Sequence, residues 1–227
     1  MLARRGPSAN VNAMPFAFAL PIALALAAAA PTGPAAAGPQ AEALAAKVQT
    51  FYESTRDLEA RFTQTYTYAA FGRRQVSKGT LQVKKPGKLR WDYAEPEKKV
   101  VVVNGSKLVQ WEPDANQAYV DERFDATAMS AAVTFLLGTG KLAAEFDLAT
   151  DDAGRLVLTP KKPDPRVAQV VLTVGAAGEV TATRVVDGSG NVNELVFEKI
   201  ERNAGVPDSR FTLELPKDVH RVAPPRQ

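Results

Sequence analysis

From Leu58 onward, apolar and polar residues alternate in short runs, broken about every ten residues by a turn signal. That spacing is the mark of an antiparallel β meander. Leu58, Ala60 and Phe62, then Gln64, Tyr66 and Tyr68, fall on one face of a first strand, and residues 69–74 with Gly72 form a loop. Strands follow at 76–84, at 89–93, where Leu89, Trp91 and Tyr93 oppose Arg90 and Asp92, and at the four valines 100–103. Asn104-Gly105 is a strong hairpin signal. Further strands are predicted at 108–111, 117–120, 155–159, 168–174, 179–187, 192–201 and 210–215. About eleven strands are too many for a flat open sheet, so the sheet should curl.

Three segments depart from the period of two. Residues 40–54 place Leu44, Val48 and Phe51 at helical spacing. Asp125 fits an N-cap before a short helix striped by Met129, Val133 and Leu136, widened by Phe135 and Leu137 and ended by Gly138 and Gly140. Residues 142–146 add another helical turn. The expected class is mainly β (α+β), with helices at the mouth of a curled sheet.

The first 37 residues read as an address. Arg4 and Arg5 stand before a short apolar run at 15–30, and Ala35-Ala36-Ala37 offers a small-residue cleavage site. This is the secretory signal pattern. The run is Ala-rich, contains Pro21 and falls short of the roughly 20 residues a membrane span needs. The expected mature domain is 38–227, soluble, with a net charge of +1 against +3 for the whole chain. So even a balance is no nucleic-acid signature.

Composition removes most chemistry. Without cysteine there is no disulfide framework, thiolate zinc site, cysteine nucleophile or lipidated N-terminal cysteine. The single histidine, His220, excludes a two-imidazole metal site and sits in a polar tail. Gly138-Thr139-Gly140-Lys141 fails as a phosphate loop, with Phe135 at the first glycine position and Leu142 in place of Ser/Thr. Gly188-Ser189-Gly190 lacks the spacing of a nucleophile elbow. Asp121, Glu122 and Asp125, and Asp151 with Asp152, read as turn acids. No enzyme, metal or cofactor is expected.

The stretch Gly79-Thr-Leu-Gln-Val-Lys-Lys-Pro-Gly-Lys-Leu-Arg-Trp-Asp-Tyr-Ala-Glu-Pro96 resembles the LolA family, the periplasmic carriers of outer-membrane lipoproteins. Phe62-Thr63-Gln64 upstream, Val103 to Pro113 and Gln117 downstream, and then Leu156-Val-Leu-Thr-Pro160 and Phe211-Thr-Leu-Glu-Leu-Pro216, match in order. The resemblance implies a half-closed antiparallel β-barrel with a helical lid over a hydrophobic cavity that takes the acyl chains of a lipoprotein. It also implies a monomer that receives cargo from an inner-membrane Lol ABC transporter and passes it to a LolB-like outer-membrane acceptor lipoprotein. The missing cysteine favours the soluble carrier over the lipid-anchored acceptor. Lys85 stands where the family usually has an Arg that reaches the lid helices, which makes it the candidate lid latch. Leu89 stands where the family often has Phe near the transporter contact.

The cavity candidates are Phe62, Leu81, Val83, Leu89, Trp91, Val101, Val103 and Trp111 from strands, with Met129, Val133, Phe135 and Leu136 from the lid. Two other readings of the same fold are a periplasmic lipid- or lipoprotein-sensing module and a carrier of another lipid.

Overall fold

The computed structural model describes residues 38–124 and 140–222. The chain opens with helix α1 (Pro39–Glu53), which Pro39 can start because the first helical turn needs no amide donor. Glu42 in that turn suits the positive end of the helix dipole. Ala41, Ala45, Val48, Phe51 and Tyr52 form its buried stripe, and Leu44 packs at the edge of the core.

Six strands follow as an up-and-down meander: β1 (Asp57–Thr67), β2 (Arg74–Lys84), β3 (Lys88–Glu95), β4 (Lys99–Asn104), β5 (Lys107–Glu112) and β6 (Gln117–Asp121). After a single helical turn, α2 (Leu142–Glu145), come β7 (Phe146–Thr150), β8 (Leu156–Pro160), β9 (Gln169–Val174), β10 (Val180–Val186) and β11 (Val192–Arg202). A short β12 (His220–Val222) ends the described chain. All twelve lie in one sheet of order β12-β6-β5-β4-β3-β2-β1-β11-β10-β9-β8-β7. Neighbours are antiparallel except β12, which runs parallel to β6. The edge strands β7 and β12 do not pair, so the barrel stays open.

Register assigns the faces. Phe62 stands opposite Gly79 and Phe197, Leu81 opposite Trp91, Trp91 opposite Val101, and Thr183 opposite both Leu195 and Leu172. These residues share the concave face, over which α1 packs against β7, β8 and α2. Two glycines make this closeness possible. A β-carbon at Gly79 would overlap the carbonyl of Asp92 and sit 2.9 Å from the Phe62 ring. At Gly178 (φ +100°) it would lie 2.6 Å from the carbonyl oxygen of Lys47 and 3.1 Å from Phe51 Cβ, so the β9–β10 turn can rest directly on α1.

The convex face has its own cover. The chain after β11 straps across it. Gly205 N–H donates to Asp57 Oδ1 at 3.0 Å, Lys84 donates to the Val206 carbonyl at 2.7 Å, and Arg90 donates to the Arg210 carbonyl at 3.0 Å. Lys84 and Lys88 both pair with Asp208, at 2.8 and 3.0 Å. Phe211 is 1% exposed and packs with Val102, Val206, Val100 and Leu213.

This strap corrects the strand expected at 210–215. Asp208–Phe211 is a 3-10 turn, and the residues after it join no ladder. Phe211, Leu213 and Leu215 alternate because an extended chain lies flat on a sheet, and its hydrogen bonds go to side chains of the strands it crosses. Two strands escaped the sequence pattern. β7 follows directly on α2, and β12 lies in the tail, where the His220 amide donates to the Asn116 carbonyl at 3.0 Å. The helix expected from Asp125, with Met129, Val133, Phe135 and Leu136, lies outside the described residues.

Candidate functional site

The alternation of β3 puts Trp91 and Tyr93 on the concave face. The Phe62 ring lies over Gly79, edge-on to both, with centroids 5.5 Å from Trp91 and 5.1 Å from Tyr93. Trp91 and Tyr93 are stacked at 6.4 Å. Burial pushes the Tyr93 phenol up to about 12, and the Lys99 ammonium sits 4.4 Å over its ring.

Across from this aromatic floor stand Leu158, Leu172, Val180, Val185, Leu195 and Phe197, with Leu142 of α2 closing one side. The Leu142 amide donates to Gln49 Oε1 of α1 at 3.3 Å, tying the two helices together. Floor and wall enclose a cavity of about 490 Å³. Sites for small organic ligands span roughly 300–1,000 Å³.

One end of the cavity is polar. Gln64, Tyr66, Thr183, Asp187, Asn191, Asn193 and Arg166 form its rim. Four of these groups bond one another in pairs, and Arg166 bonds a neighbour outside the rim. Gln64 donates to Asn193 at 2.9 Å, Asn191 donates to Asp187 at 2.8 Å, and Arg166 pairs with Asp164 at 2.7 Å. Asn191, first, and backbone amides of the same loop hold the Asp187 carboxyl below its usual range. Burial, and then Asp187, raise the Tyr66 phenol. Polar groups already bonded in this way have less to gain from a new partner.

The opposite end is packed. Tyr52, Leu58, Ala60, Leu81, Val83, Val180 and Phe197 leave a void of only about 20 Å³. Burial raises the Tyr52 phenol to about 12, although a backbone hydrogen bond from Val180 opposes the shift. Lys85 closes this end. Its ammonium donates to the carbonyl of Tyr52 in the last turn of α1, where a cation suits the helix dipole. Burial lowers its pKa, and the nearby Glu53 partly offsets that. Arg202 lies 4.8 Å from the Phe51 ring and donates to Ser54 Oγ at 3.1 Å, also at the helix C-terminus.

The structure separates the strand candidates into three groups. Trp91 lines the cavity, with Phe62 beneath it and Val101 beside it in register. Leu81 and Val83 line the small void, while Leu89 and Val103, at 1% and 0% exposure, are packed core. Trp111 stands opposite Val100 and Ala118, on the convex face. The reason is parity: Val101 pairs with Gln110, so Trp111 points the other way. Lys85 reaches α1. The wall residues Leu158, Leu172, Leu195 and Phe197 were missed as site residues, although their period of two was visible. Among the described residues, no group of three or more His, Asp or Glu side chains could hold a metal, and no helix is long and apolar enough to cross a membrane.

Residues 53–214 match the family model described as outer membrane lipoprotein carrier protein LolA. An outer-membrane lipoprotein carrier protein of Chromobacterium violaceum is 30% identical over 195 residues, covering 82% of this chain and 91% of the relative. One from Dechloromonas aromatica is 32% identical over 172 residues, covering 73% and 81%. Among solved structures, an uncharacterized conserved protein of Thermus thermophilus aligns with a TM-score of 0.50 at 13% identity, over 81% of this chain and 99% of that one. It shares the fold.

Proposed function

We propose, from the premise that this chain belongs to the family of the outer membrane lipoprotein carrier protein LolA, that it carries outer-membrane lipoproteins across the periplasm with their acyl chains in the Trp91–Phe197 cavity. The observation that supports this most is the cavity itself, with an apolar interior, a polar rim at one end and a packed stop at the other. Each methylene taken out of water is worth about 0.8 kcal/mol, so a free acyl chain stays in its membrane unless something receives it. An aromatic floor and aliphatic wall receive it without demanding a fixed headgroup geometry.

Residues 1–37 act as a signal peptide, and the mature chain works as a periplasmic binding protein without catalytic chemistry. Its donor is an inner-membrane ABC transporter of the Lol type, and its acceptor is a LolB-like lipoprotein on the outer membrane. The chain offers no nucleotide site among its motifs, so the work of extraction falls to the donor. Lys85 fastens α1 over the packed end, and cargo exchanges through the polar rim. The carrier reading is preferred to a sensing module because the relatives bearing the carrier name align along 81–91% of their own lengths.

The test is release of a labelled outer-membrane lipoprotein from spheroplasts that contain the matching transporter. The added protein is purified from the periplasm of cells expressing the full chain. The expected result is a soluble complex of carrier and lipoprotein, lost with Trp91→Glu. A folded protein that releases nothing would overturn the reading.

A further inference from the structure

The β1–β2 hairpin ends in residues 68–76, every one exposed. At its tip Phe71 is 85% exposed, the most exposed large apolar side chain among the described residues. Arg73 and Arg74 follow it after Gly72 and make no ion pair among the described residues. From residue 60 to residue 91 the chain holds no acid. The loop is built rather than slack: the Tyr68 amide donates to the Arg73 carbonyl at 2.9 Å and the Phe71 amide to the Tyr68 carbonyl at 3.3 Å. A fully exposed aromatic two residues ahead of a pair of cations, held on a formed turn, has no packing role in this fold.

Its position gives it meaning. Tyr66, on the cavity rim, meets Tyr68 edge-on with centroids 4.7 Å apart. The Ala69 amide donates to the side chain of Asn191, another rim residue, at 3.0 Å. An aromatic path therefore runs from the cavity rim through Tyr66 and Tyr68 to the tip. The nearest acid on the rim, Asp187, is already bound by Asn191 and the amides of its own loop.

We infer that the Tyr68–Arg74 tip is a membrane-docking prong that seats the cavity mouth on a bilayer rich in anionic phospholipid. Phe71 and Tyr68 enter the boundary between headgroups and acyl chains, and Arg73 and Arg74 pair with lipid phosphates. Both contacts are needed, because one aromatic or two cations alone give only marginal binding. The result is a weak, reversible contact that holds the cavity mouth at the bilayer surface, where the proposed donor and acceptor stand. The guest in the cavity follows the proposed carrier function, but binding of the tip to the bilayer stands apart from it.

The experiment is flotation of the periplasm-purified protein with vesicles of phosphatidylcholine and phosphatidylglycerol, beside vesicles of phosphatidylcholine alone. The wild type should float with the mixed vesicles at low salt and fall away as salt screens the arginines. Each arginine near the surface contributes about fivefold in partitioning, so Arg73→Glu/Arg74→Glu should lower it by more than about 25-fold. Phe71→Ser should lower it about tenfold and Phe71→Trp should preserve it. Binding of a fluorescent fatty acid in the cavity is measured on the same samples and should be unchanged. Equal flotation of wild type and variants, equal binding to neutral vesicles, or no binding at all would overturn the prong. Loss of lipoprotein transfer in the tip variants without any vesicle binding would also overturn it, in favour of a protein partner. Failure to bind the fatty acid, with flotation intact, would count against the carrier function and leave the prong standing.

Discussion

Beneath the last turns of α1 the concave face is packed down to a void of about 20 Å³, while a few residues further along the same strands it opens onto about 490 Å³. β1 passes from Leu58 and Ala60 at the packed end to Gln64 and Tyr66 at the rim, and β3 passes from Leu89 to Trp91 and Tyr93. Val180 and Phe197 border both regions. Backbone and alternation are the same throughout. What differs is the cover: Phe51 and Tyr52 reach down to the sheet at one end, and the short α2 reaches the other with Leu142. A sheet face becomes core or cavity according to what is laid over it, and that is a tertiary fact.

The largest contrast should be in stability. Phe51→Ala, at the packed end, should cost about 3–5 kcal/mol in urea unfolding and leave the cargo affinity of the folded fraction nearly intact. Leu195→Ala, on the cavity wall, should cost no more than about 2 kcal/mol, because part of its surroundings is already empty. Equal costs would mean that the two ends are packed alike. Next comes affinity. Trp91→Glu should weaken binding of a fluorescent fatty acid on the order of a hundredfold by placing a carboxylate against the acyl chain.

Alkaline pH should act on a buried phenol at each end. Tyr52 and Tyr93 hold their protons to about 12 when folded, against 10.0 ordinarily. Their contribution is therefore fully present below pH 10 and is lost as pH rises towards 12, at most about 2–3 kcal/mol each. Tyr52→Phe should flatten this alkaline limb of the stability profile, and a profile unchanged by the substitution would count against a buried phenol there. The smallest effect belongs to Lys85. Lys85→Met should cost about 1 kcal/mol, from loss of the bond to the Tyr52 carbonyl, and Lys85→Arg should restore most of it.

Much of this was legible in the residues. Alternation placed Leu58, Ala60, Phe62, Gln64 and Tyr66 on one face, and Trp91 and Tyr93 on the cavity side with Arg90 and Asp92 opposite. The resemblance carried by the Lys85-Pro86 and Trp91 segment pointed to the family. Three things were not legible, each for a physical reason. Parity is lost across a turn, so Trp111 was assigned to the wrong face although its own strand was correct. A period of two reports alternate burial, not ladder pairing, so the Phe211 strap read as a strand. Whether Leu81 and Val83 face a guest or a helix depends on α1, some thirty residues away in the chain.

The opposed faces of the two tryptophans, the only ones in the chain, allow a direct measurement. Trp111→Phe leaves Trp91 as the sole emitter, and Trp91→Phe leaves Trp111. Each protein is loaded with a fatty acid brominated along its chain, which quenches tryptophan only at contact. Strong quenching of Trp91 and almost none of Trp111 is expected. Quenching of Trp111 with Trp91 untouched, or of neither in a protein that binds the acid, would rule out an acyl chain on the concave face.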